Sequence, residues 1–80
     1  MAKKPNPPSK RDVPGLLRRL REEAELTQRD LAGRMKRAQP WIHKSEIGER
    51  RVDVSEFLDW CNACEVNAKE AIARIADMRK

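Results

Sequence analysis

The 80-residue chain predicts an all-α domain of five short helices. Three observations carry that class. Apolar residues recur at three- and four-residue spacing in five successive segments, capping or helix-opening residues precede them, and no alternating run of strand type occurs. A chain this short forms one domain with one shared core, near the lower limit of independent stability, so a second copy would help it.

Residues 1–11 read as a disordered, basic, proline-rich arm, with Lys3, Lys4, Pro5, Pro7, Pro8 and Lys10 and nothing to bury; the domain is expected over 12–80. The arm is either a plain tail or a basic extension that tracks phosphates or enters a minor groove. Asp12 is the expected N-cap of the first helix, with Pro14 in its first turn and Leu16, Leu17, Leu20 and Ala24 along one stripe. Arg18, Arg19, Glu22 and Glu23 fall outside that stripe, as two opposite-charge pairs four residues apart.

Thr27 caps a second helix whose apolar face is Leu31, Ala32 and Met35. After a Lys36-Arg37-Ala38 break, Pro40 sits in the first turn of a third helix, where its missing N–H leaves no bond unmade. There Ile42, Ser45 and Glu46 share the inner face, while Gln39, Pro40, His43, Lys44 and Ile47 point outward, and the same wheel exposes Trp41. Two short helices joined by a three-residue turn, over about 28–47, form a helix-turn-helix with its second helix exposed. In a fourth helix, about 54–64, Val54, Phe57, Leu58, Cys61 and Cys64 make the inward stripe, with Trp60 off it. Asn67 and Glu70 then give a capping-box-like start to a fifth, about 68–78, with Ala71, Ile72, Ile75 and Ala76 on one face.

Net charge is +5 and the pI about 9.7, which suits a polyanionic partner. The charge is uneven: residues 1–37 hold 11 Lys/Arg against 5 Asp/Glu, residues 38–80 hold 7 against 8. No apolar run approaches the roughly eighteen residues of a membrane span, and no apolar segment follows the basic N-terminus, so a cytoplasmic location is expected. Catalysis has no support: there is no glycine-rich phosphate loop, no histidine beside a nucleophile and no metal-spaced carboxylates, so neither enzyme activity nor a cofactor is expected. Cys61-Asn62-Ala63-Cys64 has the spacing of a thiol redox motif, but that motif needs a strand before it. Inside a helical stripe both cysteines read as buried small hydrophobes, the alternative being an intermolecular zinc site or redox sensing.

The chain resembles the phage-repressor-like (Cro/Xre-type) helix-turn-helix family from about Leu17 to Ile75. The matching marks are Leu20-Arg21-Glu22-Glu23, Leu26-Thr27-Gln28, Leu31-Ala32, Ile42, Lys44 before Glu46, Gly48-Glu49-Arg50-Arg51, and Val54 to Leu58. The resemblance implies a lambda-repressor-like fold that binds duplex DNA and regulates transcription, repression being the commoner outcome, as a homodimer through its C-terminal helices. Trp60, Ile72, Ile75 and Met78 are the candidate dimer contacts, Ile72 and Ile75 being alternatively part of the monomer core. It also implies that Glu25, Lys36 and Glu65 stand where glycine is usual, at helix exits needing positive φ, and that Ser45 replaces an apolar residue.

The expected base-contact set is Gln39, Pro40, His43 and Lys44. Gln39 suits a bidentate contact with adenine, or else a phosphate or water; Lys44 suits guanine or a phosphate; His43 suits a base, a phosphate or plain solvent. The expected phosphate-contact set is Gln28 at the start of the second helix, Lys36 and Arg37 in the turn, Trp41, and Arg50 and Arg51 in the following loop. Trp41 either packs on the sugar–phosphate backbone or covers the second helix. Arg21 and Glu46 resemble the family's partly buried ion pair, which fixes the third helix against the first. The competing class is a protein-interaction module of the same fold, such as an antitoxin or a phage adaptor.

Overall fold

Leu16, Leu17 and Leu20 draw five helices onto one apolar centre in the computed structural model of the chain, which describes residues 12–78. The helices are α1 (Asp12–Glu23), α2 (Gln28–Met35), α3 (Gln39–Glu46), α4 (Val54–Ala63) and α5 (Ala68–Met78), with no strand among the described residues. The fold class is the expected one. The arm of residues 1–11 lies outside the described residues.

Local chemistry starts each helix. Thr27 Oγ1 accepts from Asp30 N at 3.0 Å while Asp30 Oδ2 accepts from Thr27 N at 3.0 Å, a complete capping box on α2. Asp53 and Glu56 repeat that box on α4, and Asn67 Oδ1 accepts from Glu70 N at 3.2 Å on α5. Ala38 cannot cap α3, and Pro40 in its first turn removes one N–H that would otherwise need a partner. Asp12, expected as the cap of α1, opens the described part of that helix, where its charge favours the N-terminal dipole.

Three helices stop in the same way. After α1, α2 and α4 the chain turns at Glu25, Lys36 and Glu65, each left-handed with φ of 60°, 57° and 60°. Leu26 N reaches Arg21 O, Arg37 N reaches Ala32 O and Val66 N reaches Cys61 O at 2.9–3.1 Å, the long bond of a Schellman motif. A side chain at such a position costs roughly 1 kcal/mol relative to glycine. After α3, Gly48 takes the same region (φ 82°) without that cost.

α3 packs on both α1 and α2, α4 on α2 and α5, and α5 on α1. The core is Leu16, Leu17, Leu20, Leu31, Ala32, Ile42, Phe57, Trp60, Cys61, Cys64 and Ala71. Two sequence expectations are corrected on α4. Trp60 is fully buried, its Nε1–H donating to Leu17 O at 3.0 Å, while Val54 and Leu58 are 72% and 45% exposed. The competing stripes share Phe57, Cys61 and Cys64. The one that buries the indole wins because it hides the largest apolar surface and still satisfies the N–H with a helix carbonyl. Trp60 is therefore no surface contact for a second copy.

On α5, Ala71 is buried and Ile75 packs against the core, but Ile72 and Ala76 are exposed. Glu23 gives both oxygens to Arg74 of α5 at 3.0 Å, not to Arg19, whereas Arg18 and Glu22 pair as expected at 2.9 Å. Cys61 and Cys64 are buried free thiols, and burial pushes Cys64 up to about 11, so it stays protonated and unreactive at neutral pH.

Candidate nucleic-acid interface

The periodicity of α3 sets its inner and outer sides. Ile42, Ser45 and Glu46 are buried, whereas Gln39, Pro40, His43 and Lys44 are exposed, so the four expected base-contact residues share the outer surface of the helix.

Beneath that surface runs an ion pair. Arg21 Nε and Nη2 donate to Glu46 Oε2 and Oε1 at 2.6 and 3.0 Å, and Arg21 Nη1 donates to Leu26 O at 2.9 Å. With side chains only 11% and 2% exposed, this is a buried bidentate pair, and it ties α3 to α1 as expected. Its hydrogen bond to Glu46 raises the Arg21 pKa above the ordinary value, so the guanidinium stays charged.

Gln28 extends the pair to the outer surface. Its Nε2 donates to Glu46 Oε1 at 3.1 Å and lies 3.4 Å from His43 Nδ1, while its Oε1 accepts from Gln39 Nε2 at 3.4 Å. A carboxylate only accepts, so it fixes which end of the Gln28 amide faces inward. The Gln28 carbonyl then faces Gln39, and its amide nitrogen faces His43 Nδ1. Gln28, expected to contact phosphate, is half-buried and orders the two residues beside it.

The other flank of α3 is aromatic. Trp41 is half-buried against the core, not exposed as the helical wheel suggested, with its ring centroid 6.2 Å from that of Trp60. The guanidiniums of Arg37 and Arg50 lie over its ring at 4.5 and 4.2 Å. Arg50 also donates to both oxygens of Glu56 at 2.6 and 3.1 Å, which holds that carboxyl below its usual range; the Asp53 N–H adds to the effect. Next to this flank, Ser45 donates to Trp41 O at 2.8 Å and lines a cavity of about 160 Å³ with Val13, Pro14, Leu17 and Val52. Ser45 itself is fully buried, its hydroxyl satisfied by that carbonyl, so the small polar side chain is accommodated where the family pattern has an apolar one.

Lys36, Arg37 and Arg51 are exposed around α3. Arg29, missed in the sequence reading, lines a shallow cleft with Gln28 and Gln39; its place in the first turn of α2, next to Gln28, was the available signal. The Arg37–Trp41 contact crosses the turn into α3, where no helical spacing applies. Nothing local announces Arg50 on the same ring.

The sequence matches the helix-turn-helix domain family over residues 15–76. Among solved structures, the chain is similar to an XRE-family like protein from Pseudomonas syringae pv. tomato str. DC3000, with 34% identity, a TM-score of 0.76 and 85% of each chain covered. It is similar to the restriction-modification controller protein C.AhdI from Aeromonas hydrophila at 25% identity and a TM-score of 0.68, over 75% of this chain and 91% of that one. Its fold is also that of the clp gene regulator ClgR from C. glutamicum, with 19% identity, a TM-score of 0.82 and coverage of 94% and 97%. No curated protein sequence matches it. With the helix-turn-helix geometry and these matches together, the chain belongs to the Cro/Xre-type family of helix-turn-helix DNA-binding domains.

Proposed function

We propose that this protein regulates transcription by reading a specific duplex DNA site with α3 in the major groove, more in the manner of a repressor than of an activator. The observation that carries the reading is the division of α3: a buried anchor of Ile42, Ser45 and Glu46, and an outer surface of Gln39, Pro40, His43 and Lys44. With one Gln39 N–H turned to Gln28, its carbonyl and second N–H are left as the acceptor and donor that adenine N6 and N7 require. Lys44 suits guanine O6 or N7, and the His43 ring nitrogens suit a base edge in the groove. Lys36, Arg37, Trp41, Arg50 and Arg51 serve the flanking phosphates, with Gln28 in support.

The protein acts in the cytoplasm as a homodimer. Exposed Val54 and Leu58 on α4 and Ile72 and Met78 on α5 are the apolar side chains open to a second copy, and dimerisation sets two half-sites about 34 Å apart or a multiple of that. Sedimentation that finds only monomer at high micromolar concentration, with and without DNA, removes the dimer from this account.

Selection of bound duplexes from a random pool at two salt concentrations tests the reading. A recovered two-fold site, bound with an affinity that falls steeply with salt, supports it. Recovery of no consensus, with a stoichiometric protein partner binding equally well after Gln39→Ala and Lys44→Ala, assigns the fold to protein interaction instead.

A further inference from the structure

Trp41 brings together two cations that the sequence places on either side of α3. Arg37 comes from the turn before the helix and Arg50 from the loop after it, and both guanidiniums lie within 4.5 Å of the ring centroid. The ring does not move with them, because it rests half-buried on the core next to the fully buried Trp60. Arg50 is held a second time by Glu56, whose Oε1 is fixed in turn by the Asp53 N–H at 3.0 Å.

Stacking and ion pairing have different consequences for these cations. A ring face orients a guanidinium without neutralising it and leaves its edge donors available, whereas a carboxylate occupies the donors that a phosphate needs. Arg50 spends Nη1 and Nη2 on Glu56 and the Arg51 carbonyl. Arg37, oriented by the ring, keeps more to offer. An arginine already ordered by stacking also loses less rotamer freedom when it docks.

Building on the DNA-binding reading above, we propose that Trp41 is the positioning residue of the interface, its indole holding Arg37 and Arg50 as a pre-ordered pair for the phosphates bordering the groove that α3 enters. Arg37 is the stronger contact of the two.

The test is a double-mutant cycle read by the salt dependence of binding, using the full chain and the duplex that the unmodified protein selects. Arg37→Gln lowers affinity about tenfold and makes the slope of log K against log salt shallower by about one; Arg50→Gln does the same to a smaller degree. Trp41→Leu reproduces much of both effects, Trp41→Phe restores part of the loss, and Arg37→Gln adds little in the Trp41→Leu background. If Trp41→Leu does not fold by circular dichroism, the same cycle in the Trp41→Phe background decides, with a reduced Arg37→Gln effect expected. An unchanged slope in the Trp41 variants, or arginine effects independent of residue 41, makes Trp41 a packing residue only and overturns the proposal. Should the unmodified protein select no duplex at all, the DNA-binding reading itself fails.

Discussion

On the flank where α3 faces the start of α2, Glu46, Arg21, Gln28, Gln39 and His43 form a hydrogen-bonded chain running from a buried charge to the surface. On the flank facing the α3–α4 loop, Trp41, Arg37 and Arg50 are stacked, and Ser45 borders a cavity. The first flank is directional: each partner fixes the orientation of the next, and removing Arg21 or Glu46 leaves a buried charge unmatched. The second is tolerant, because a stack survives small shifts. One helix is thus held by directional hydrogen bonds where its base-reading candidates begin and by stacking where its phosphate-contact candidates gather.

The largest expected break in that contrast is Glu46→Ala. It strands Arg21 without its partner and releases Gln28, and should cost about 3–5 kcal/mol in urea denaturation. Replacing both partners, Arg21→Met with Glu46→Leu, should recover most of the loss, since the desolvation of two charges disappears with them. Recovery of stability without recovery of specific DNA binding would show that the polar chain orients Gln39 and His43 as well as fixing α3.

On the stacked flank, Glu56→Gln should cost on the order of 1 kcal/mol, because the pair with Arg50 is only partly buried. Acid should act in the same place. The carboxyls of Glu56, Glu23 and Asp30 are held low, by Arg50, by Arg74 and by the Thr27 cap respectively. A lowered folded-state pKa gives stability that is complete above the ordinary carboxylate value of about 4 and is lost as pH falls through the lowered one. Urea midpoints should therefore hold from neutrality to about pH 5 and drop below about pH 4, with a smaller drop in Glu56→Gln.

Lys36→Gly, in the turn that enters α3, should add roughly 0.5–1 kcal/mol by relieving its left-handed backbone, seen as a higher thermal midpoint. Smallest of all, Ser45→Ala should change stability by less than about 0.5 kcal/mol, since the Trp41 carbonyl it releases also serves the helix. A larger loss would mean that the second flank is as exacting as the first.

Much of the fold is legible in the sequence because its signals are local. Thr27 with Asp30, Pro40, Asn67 with Glu70, and the leucine stripe of α1 each act within one or two turns. The same locality explains the errors. On α4 two stripes fit the helical period equally well, and only α1, which supplies the Leu17 carbonyl, decides in favour of Trp60. In the candidate site, exposure of Gln39, His43 and Lys44 follows from periodicity, and the Arg21–Glu46 pair follows from family resemblance. The role of Gln28 as the link between them, and the meeting of Arg37 with Arg50 on Trp41, depend on the spatial approach of separate helices and loops, which no spacing encodes.

Specificity of binding tests the central claim most directly. The affinity of the unmodified protein for its selected duplex should exceed that for a scrambled duplex by about 10³-fold or more at physiological salt. In Gln39→Ala with Lys44→Ala, fluorescence anisotropy should show this ratio falling toward one, while weak binding to scrambled DNA and a steep salt dependence persist. A ratio left intact by the double substitution would contradict base reading by α3.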